Sequence, residues 1–326
     1  MLLNFILNSG HISTVLVLLE GVKSMNSWYP SLRSVLPVVM LGTVLPLVSQ
    51  QRTSLSQIES LTPAEFDRVE KLARHGDPMA SAMMGVAYAY GVRVERNSAI
   101  AAHYLLKAAQ KGESTAQVNL GLLYFEGEGV ARNYAQAAHW FQRAAEAGNT
   151  QALVNLGAIY YRGLGVPLDR QKSALYYEVA ARRGNAVSQL WIARMYERGD
   201  GVVHSSEQAL NWYSKSAEQG NAEAQNRLGE ILRDGVVTAA DHSRALKLFL
   251  ASAQSGYEPA QHNLAEFYMH GHCMPKDYVN AYSWLALLSK RDESARAELS
   301  SVREHLSSTE LAEAEHRAEV WGQKVH

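Results

Sequence analysis

Glycine recurs along this chain at 76, 112, 148, 184, 220 and 256, and a second set at 91, 127, 163, 199, 235 and 271 keeps the same 36-residue step without an insertion. A fixed period of that length means one supersecondary unit copied and stacked, since a unit so small cannot bury its apolar face alone. Taken singly, LGAIYYRGLGV at 156–166 would suggest that Gly163 and Gly165 cradle an anion beside a helix. Recurrence of Gly163 in all six copies assigns it to chain geometry instead. Gly165 returns only as Gly129 and Gly201, with Arg93, Val237 and Cys273 in the other three slots.

A third periodic set, Asn97, Asn133, Asp169, Ser205, Asp241 and Asp277, consists of residues whose side-chain oxygen accepts from a free N–H in a helix's first turn. One unit therefore reads as a cap near Asn149, a first helix over about 150–162, Gly163 as C-cap, a loop, Asp169 as the second cap, and a second helix to Arg183, closed by Gly184. Asp77 and Pro78 open the first unit on the same plan. Ala80, Ala116, Ala152, Ala224 and Ala260 precede Met84, Leu120, Leu156, Leu228 and Leu264 by four residues, and Ser188 precedes Ile192 likewise. Gly85, Gly121, Gly157 and Gly229, with Ala193 and Ala265, leave room for a close neighbour. Tyr104, Trp140, Tyr176, Trp212, Leu248 and Trp284 repeat on the second helix, where an aromatic at helical spacing belongs to a core.

The third unit carries Ala152, Leu156, Gly157, Tyr160, Gly163, Gly165, Val166, Asp169, Tyr176, Tyr177, Ala180, Ala181 and Gly184, and this pattern resembles the Sel1-like repeat, a relative of the tetratricopeptide repeat. The resemblance spans residues 77–292, and Val237 and Cys273 are departures from it. It implies an all-α protein: a right-handed α/α solenoid of six 36-residue Sel1-like helix-turn-helix repeats, with helical caps at both ends. It also implies a role in holding other proteins together. Some cysteine-rich relatives have been associated with β-lactam binding or hydrolysis, but the paired cysteines they use are absent, since Cys273 is the chain's single cysteine.

Stacked arrays need polar ends, and both ends supply them. Thr62-Pro63-Ala64-Glu65 is a capping box opening a helix to Gly76, so 62–76 reads as the N-terminal cap. Residues 293–326 provide the C-terminal capping helices, the last beginning at Ser307-Ser308-Thr309-Glu310. Residues 50–61, rich in Ser, Gln and Thr, read as a linker. Before them, 1–49 contains the uncharged run Val35 to Val48 preceded by Arg33, the layout either of a signal peptide cleaved after Ser49 or of an uncleaved membrane anchor. Translation from Met1 or from Met25 fits; Met25 gives a leader of ordinary length. The expected location is the periplasm or the exterior, with membrane anchorage as the alternative.

A net charge of -1, from 31 Lys and Arg against 32 Asp and Glu, provides no basic field for nucleic acid. No P-loop, HExxH, GxSxG or Cys-His arrangement with a supporting acid occurs, so the chain reads as a non-enzyme without cofactor. The weak metal candidates are His270, His272 and Cys273, where Gly271 follows the loop register and Cys273 fills the second glycine slot. Hydrolase or metal chemistry is thus the competing reading, and an envelope assembly factor held at the membrane by an uncleaved 35–48 segment is the third.

In a solenoid of this kind the first helices line the concave face, and residues pointing away from the core meet the partner. The stripe is Met83, Val86 and Tyr90 in unit one, then Asn119, Leu122 and Glu126, then Asn155, Ala158 and Arg162. It continues as Trp191, Arg194 and Arg198, then Arg227, Glu230 and Asp234, then Asn263, Glu266 and His270. The candidate contact residues for a protein or peptide are Trp191, Arg194, Arg198, Arg162, Arg227, Asn155 and Glu230. Trp191 leads them, because its equivalents are not aromatic and because Trp beside Arg has the composition of an interface anchor.

Overall fold

The computed structural model describes residues 55–324 apart from Cys273 and Arg291. The expected leader at 1–49, the choice between Met1 and Met25, and the ligand role of Cys273 lie outside the described residues. The rest is helix and connecting loop. The first helices of the six units are α2 (Pro78–Tyr90), α4 (Ser114–Glu126), α6 (Thr150–Arg162), α8 (Ala186–Arg198), α10 (Ala222–Asp234) and α12 (Glu258–His270). Their partners are α3 (Ser98–Gln110), α5 (Tyr134–Glu146), α7 (Arg170–Arg182), α9 (Ser206–Glu218), α11 (His242–Gln254) and α13 (Tyr278–Leu288). The capping helices are α1 (Pro63–Arg74) ahead of the array, and α14 (Glu293–Arg303) and α15 (Ser308–Lys324) behind it.

Helix ends fall where local chemistry predicts. Each of the six periodic Asn, Asp or Ser residues accepts from the backbone of its second helix's first turn, as Asp169 does from Lys172 N–H at 2.8 Å. Gly163 closes α6 at φ 68°, in the left-handed region that glycine enters without a Cβ clash. The capping box of α1 is complete: Glu65 N–H donates to Thr62 Oγ1 at 3.3 Å, and Thr62 N–H to Glu65 Oε2 at 2.7 Å. Tyr257 is the exception among the caps, since it provides no side-chain bond to α12.

Packing follows the small-residue positions. A Cβ at Gly157 would stand 2.8 Å from the Tyr177 ring, and one at Gly121 would stand 2.6 Å from Phe141, so the second helix lies directly on the first at each glycine. The deepest second-helix slot is consequently Leu105, Phe141, Tyr177, Tyr213, Phe249 and Leu285, all at most 1% exposed. That slot is one residue beyond the aromatic position singled out from sequence, whose Tyr104, Tyr176 and Leu248 are only part-buried. Glutamines tie successive units: Gln117, Gln189 and Gln261 donate to the carbonyls of Ala109, Ala181 and Ala253, satisfying oxygens that a helix end leaves unpaired.

The second loop glycine has a different task. A Cβ at Gly129, Gly165 or Gly201 would come within 2.4 Å of backbone at the start of the preceding unit's second helix. In unit one the helix in that place is the cap α1, which begins at Pro63. There Arg93 holds the slot at φ 61° and donates to the carbonyls of Ile58, Glu59 and Leu61. Residues 55–60, part of the expected linker, are therefore helical, and Ile58 is buried against Val86 and Ala87. At the other end Trp321 of α15 stacks on Trp284 at 4.5 Å, and Arg317 donates to Asn280 Oδ1 at 2.7 Å. Among the described residues no helix is long and apolar enough to cross a membrane.

Candidate functional site

The first-helix stripe divides into two chemically different parts. From unit four onward most of its charged groups pair with one another, Arg198 excepted. Glu197 on α8 accepts from Arg227 Nε on α10 at 2.8 Å and from the Tyr213 hydroxyl at 2.8 Å. Arg227 also pairs with Glu230 at 2.6 Å, and Glu230 accepts from Asn226 and Asn263 at 2.9 and 3.0 Å. Arg194 pairs with Glu223, while Arg233 reaches Asn263 Oδ1 at 3.3 Å. Three of the sequence candidates, Arg194, Arg227 and Glu230, are thus engaged in pairs between neighbouring modules.

One repeat earlier the same register holds aromatics. Glu197, Tyr213 and Arg227 correspond to Tyr161, Tyr177 and Trp191. Trp191 lies flat on Tyr177, with ring centres 5.7 Å apart and planes 11° apart, and it meets Tyr161 edge-on at 5.4 Å. The Arg194 guanidinium covers it at 5.3 Å. At 5% exposure Trp191 is a packing residue, which corrects its assignment as an exposed anchor. The physical reason is that its equivalent faces the preceding unit, so an indole there is enclosed by Tyr161 and Tyr177. Tyr161 in turn donates to Asp200 at 2.9 Å beneath Arg170, 3.6 Å above its ring.

What this junction leaves over is donors. Asn155 accepts from Gln151 at 3.3 Å, but its buried Nδ2 has no partner among the described residues. The Tyr177 hydroxyl has none either, because the acceptor that serves Tyr213, Glu197, is Tyr161 here. Burial, opposed by the nearby Arg162 charge, pushes this phenol above its ordinary value. Part-buried Arg162 and exposed Arg198, equivalent residues one module apart, form no ion pair or hydrogen bond among the described residues. Next in that row stands Glu126. Burial first and Glu128 second push its carboxyl up to about 7, because Arg96 pairs with Glu128 and Arg132 donates to the Glu126 main-chain carbonyl.

The loop of unit six is packed as an aromatic cluster. His272 stacks on His242 at 5.4 Å with planes 6° apart, rests on Phe267 at 5.1 Å, and meets His270 edge-on at 5.9 Å. Among the described residues no group of three or more His, Cys, Asp or Glu side chains is arranged to hold a metal. Sequence reading missed His242, Glu197, Glu223 and the Tyr177 hydroxyl. A signal was available for some of them: Glu197–Arg227 and Arg233–Asn263 both stand 30 residues apart, as do Tyr161 and Trp191.

Comparison with known proteins agrees with this architecture. The profile of the Sel1 repeat matches residues 78–113, 114–149, 150–185, 186–221, 222–257 and 258–292. Among solved structures, a protective antigen of uropathogenic Escherichia coli with an SLR fold is 35% identical, with a TM-score of 0.69 over 80% of this chain. The chain spans 56% of that protein's length. A Sel1 repeat protein from Oxalobacter formigenes is 28% identical, with a TM-score of 0.60 over 78% of this chain and 97% of its own. No curated protein matches the chain.

Proposed function

The chain belongs to the Sel1 repeat family, whose members are generally scaffolds for protein–protein interaction, and we propose that it is a non-catalytic adaptor holding a protein or peptide segment along its first-helix face. The observation that carries this reading is a contrast within each first helix. Packing positions repeat nearly unchanged, whereas the stripe beside them runs from Met83 and Tyr90 through Asn155 and Arg162 to Asn263 and Glu266. Stacking uses the first set and a few stripe residues, Trp191 and Arg227 among them. A face whose chemistry changes from unit to unit, held on rigid helices, can select one extended ligand at a small ordering cost.

Export to the periplasm or exterior is part of the same proposal and rests on the apolar run at 35–48. N-terminal sequencing of the mature chain tests it. A photo-crosslinker placed at Asn155 or Arg162 tests the binding face, with Leu175, 62% exposed on the second helix of unit three, as the opposite-face control. Capture of one protein from the first two positions and not from Leu175 is expected. Equal capture from all three would end the proposal.

A further inference from the structure

The arginines on and beside the stripe fall into two groups. Arg194, Arg227 and Arg233 each meet a carboxylate on a neighbouring module or their own helix: Glu223, then Glu197 and Glu230, then Asp234 and Glu266. Arg162 and Arg198 meet none among the described residues. They occupy one register position on successive first helices, α6 and α8, so a chain laid across those helices passes both. The same junction holds Asn155 Nδ2, buried without a partner among the described residues, and the hydroxyl of Tyr177, a residue only 1% exposed. Both arginines can donate to one ligand, and the next junction shows a carboxylate in such a role: Glu197, which takes both Arg227 and Tyr213.

We propose that the α6–α8 part of the first-helix face binds an acidic segment of a partner protein, with its carboxylates on Arg162 and Arg198. This deepens the adaptor reading and rests on it. Two flanking acids do not quench the pair. Asp234 is engaged by Arg233 at 2.8 Å, and burial raises the Glu126 carboxyl to about 7, which lowers its charge near neutrality. Guanidinium is suited to the task because its planar fork accepts a carboxylate in two bonds and is readily desolvated.

The experiment is fluorescence anisotropy of the full chain with a labelled peptide rich in Glu and Asp, against its Gln/Asn counterpart and a single-stranded oligonucleotide. Binding of the acidic peptide is expected to weaken at least about tenfold in the R162Q/R198Q double variant, with thermal unfolding unchanged. Arg233→Gln, which removes an arginine already paired, is expected to change it less than about twofold. Unaltered affinity in the double variant overturns the proposal, as does tighter binding of the oligonucleotide or equal binding of the neutral peptide. If crosslinking from Asn155 still captures a partner after any of those results, the adaptor reading stands and only the acidic specificity falls. If that capture fails as well, both fall.

Discussion

The junction between units three and four and the junction between units four and five share one backbone plan and differ in how they are held. The first is sealed by Tyr161, Tyr177 and Trp191, and the second by Glu197, Tyr213 and Arg227. Both fill the same wedge between successive first helices. The aromatic version excludes water and leaves the Tyr177 hydroxyl over; the ionic version engages the equivalent Tyr213 hydroxyl on Glu197. A repeat protein can therefore keep its stacking geometry while switching individual junctions between open and closed chemistry.

The strongest way to break this comparison is at the loop beneath each junction. Gly201 sits at φ 77° with Arg170 backbone where its Cβ would go, whereas the next unit has Val237 in that slot. Gly201→Val is expected to cost about 4 kcal/mol, from left-handed strain plus a backbone clash, and Val237→Gly far less; denaturant midpoints compare them. Next in size, Trp191→Ala should cost about 3 kcal/mol through the cavity it leaves, while Arg227→Ala at the equivalent, 42%-exposed position should cost only about 1 kcal/mol. Equal losses would mean the two junctions are not distinct in kind.

Glu126 sharpens the comparison by pH. Its folded-state value lies above the unfolded one, so its contribution is fully present below the ordinary carboxylate value of 4.5 and is lost as pH rises through about 7. Glu126→Gln should match the parent at pH 4 and exceed it at pH 8 by about 2 kcal/mol, read from unfolding curves at the two pH values. A variant that is no more stable at pH 8 would show the carboxylate to be well solvated. The smallest effect is expected for Glu197→Gln, about 1 kcal/mol, because amide for carboxylate keeps one acceptor for Arg227 and Tyr213. Added salt should diminish that loss at the ionic junction and leave the Trp191→Ala loss unchanged.

Much of the candidate site was visible in the sequence as composition, and its state was not. Arg162, Arg198 and Asn155 could be placed on the outward stripe by helical spacing alone, and they lie at the junction that remains open. Trp191 was placed on the same stripe by the same spacing, yet it is enclosed, because a helix-face argument knows nothing of what stands 30 residues earlier. The paired arginines show the same gap: Arg194 and Arg162 look alike in sequence, and only Glu223 beside the former distinguishes them.

By itself the sequence determined the module: where helices begin and end, which residues are too small to keep neighbours apart, and that six copies stack. These follow from interactions within a few residues, namely side-chain caps, the left-handed freedom of glycine and the spacing of apolar groups around a helix. Only the tertiary structure decided which polar groups on the first-helix face are already matched. Matching depends on side chains brought together from adjacent modules, where a single exchange of Glu197 for Tyr161 or Arg227 for Trp191 turns a closed ion pair into an aromatic seal with donors left free.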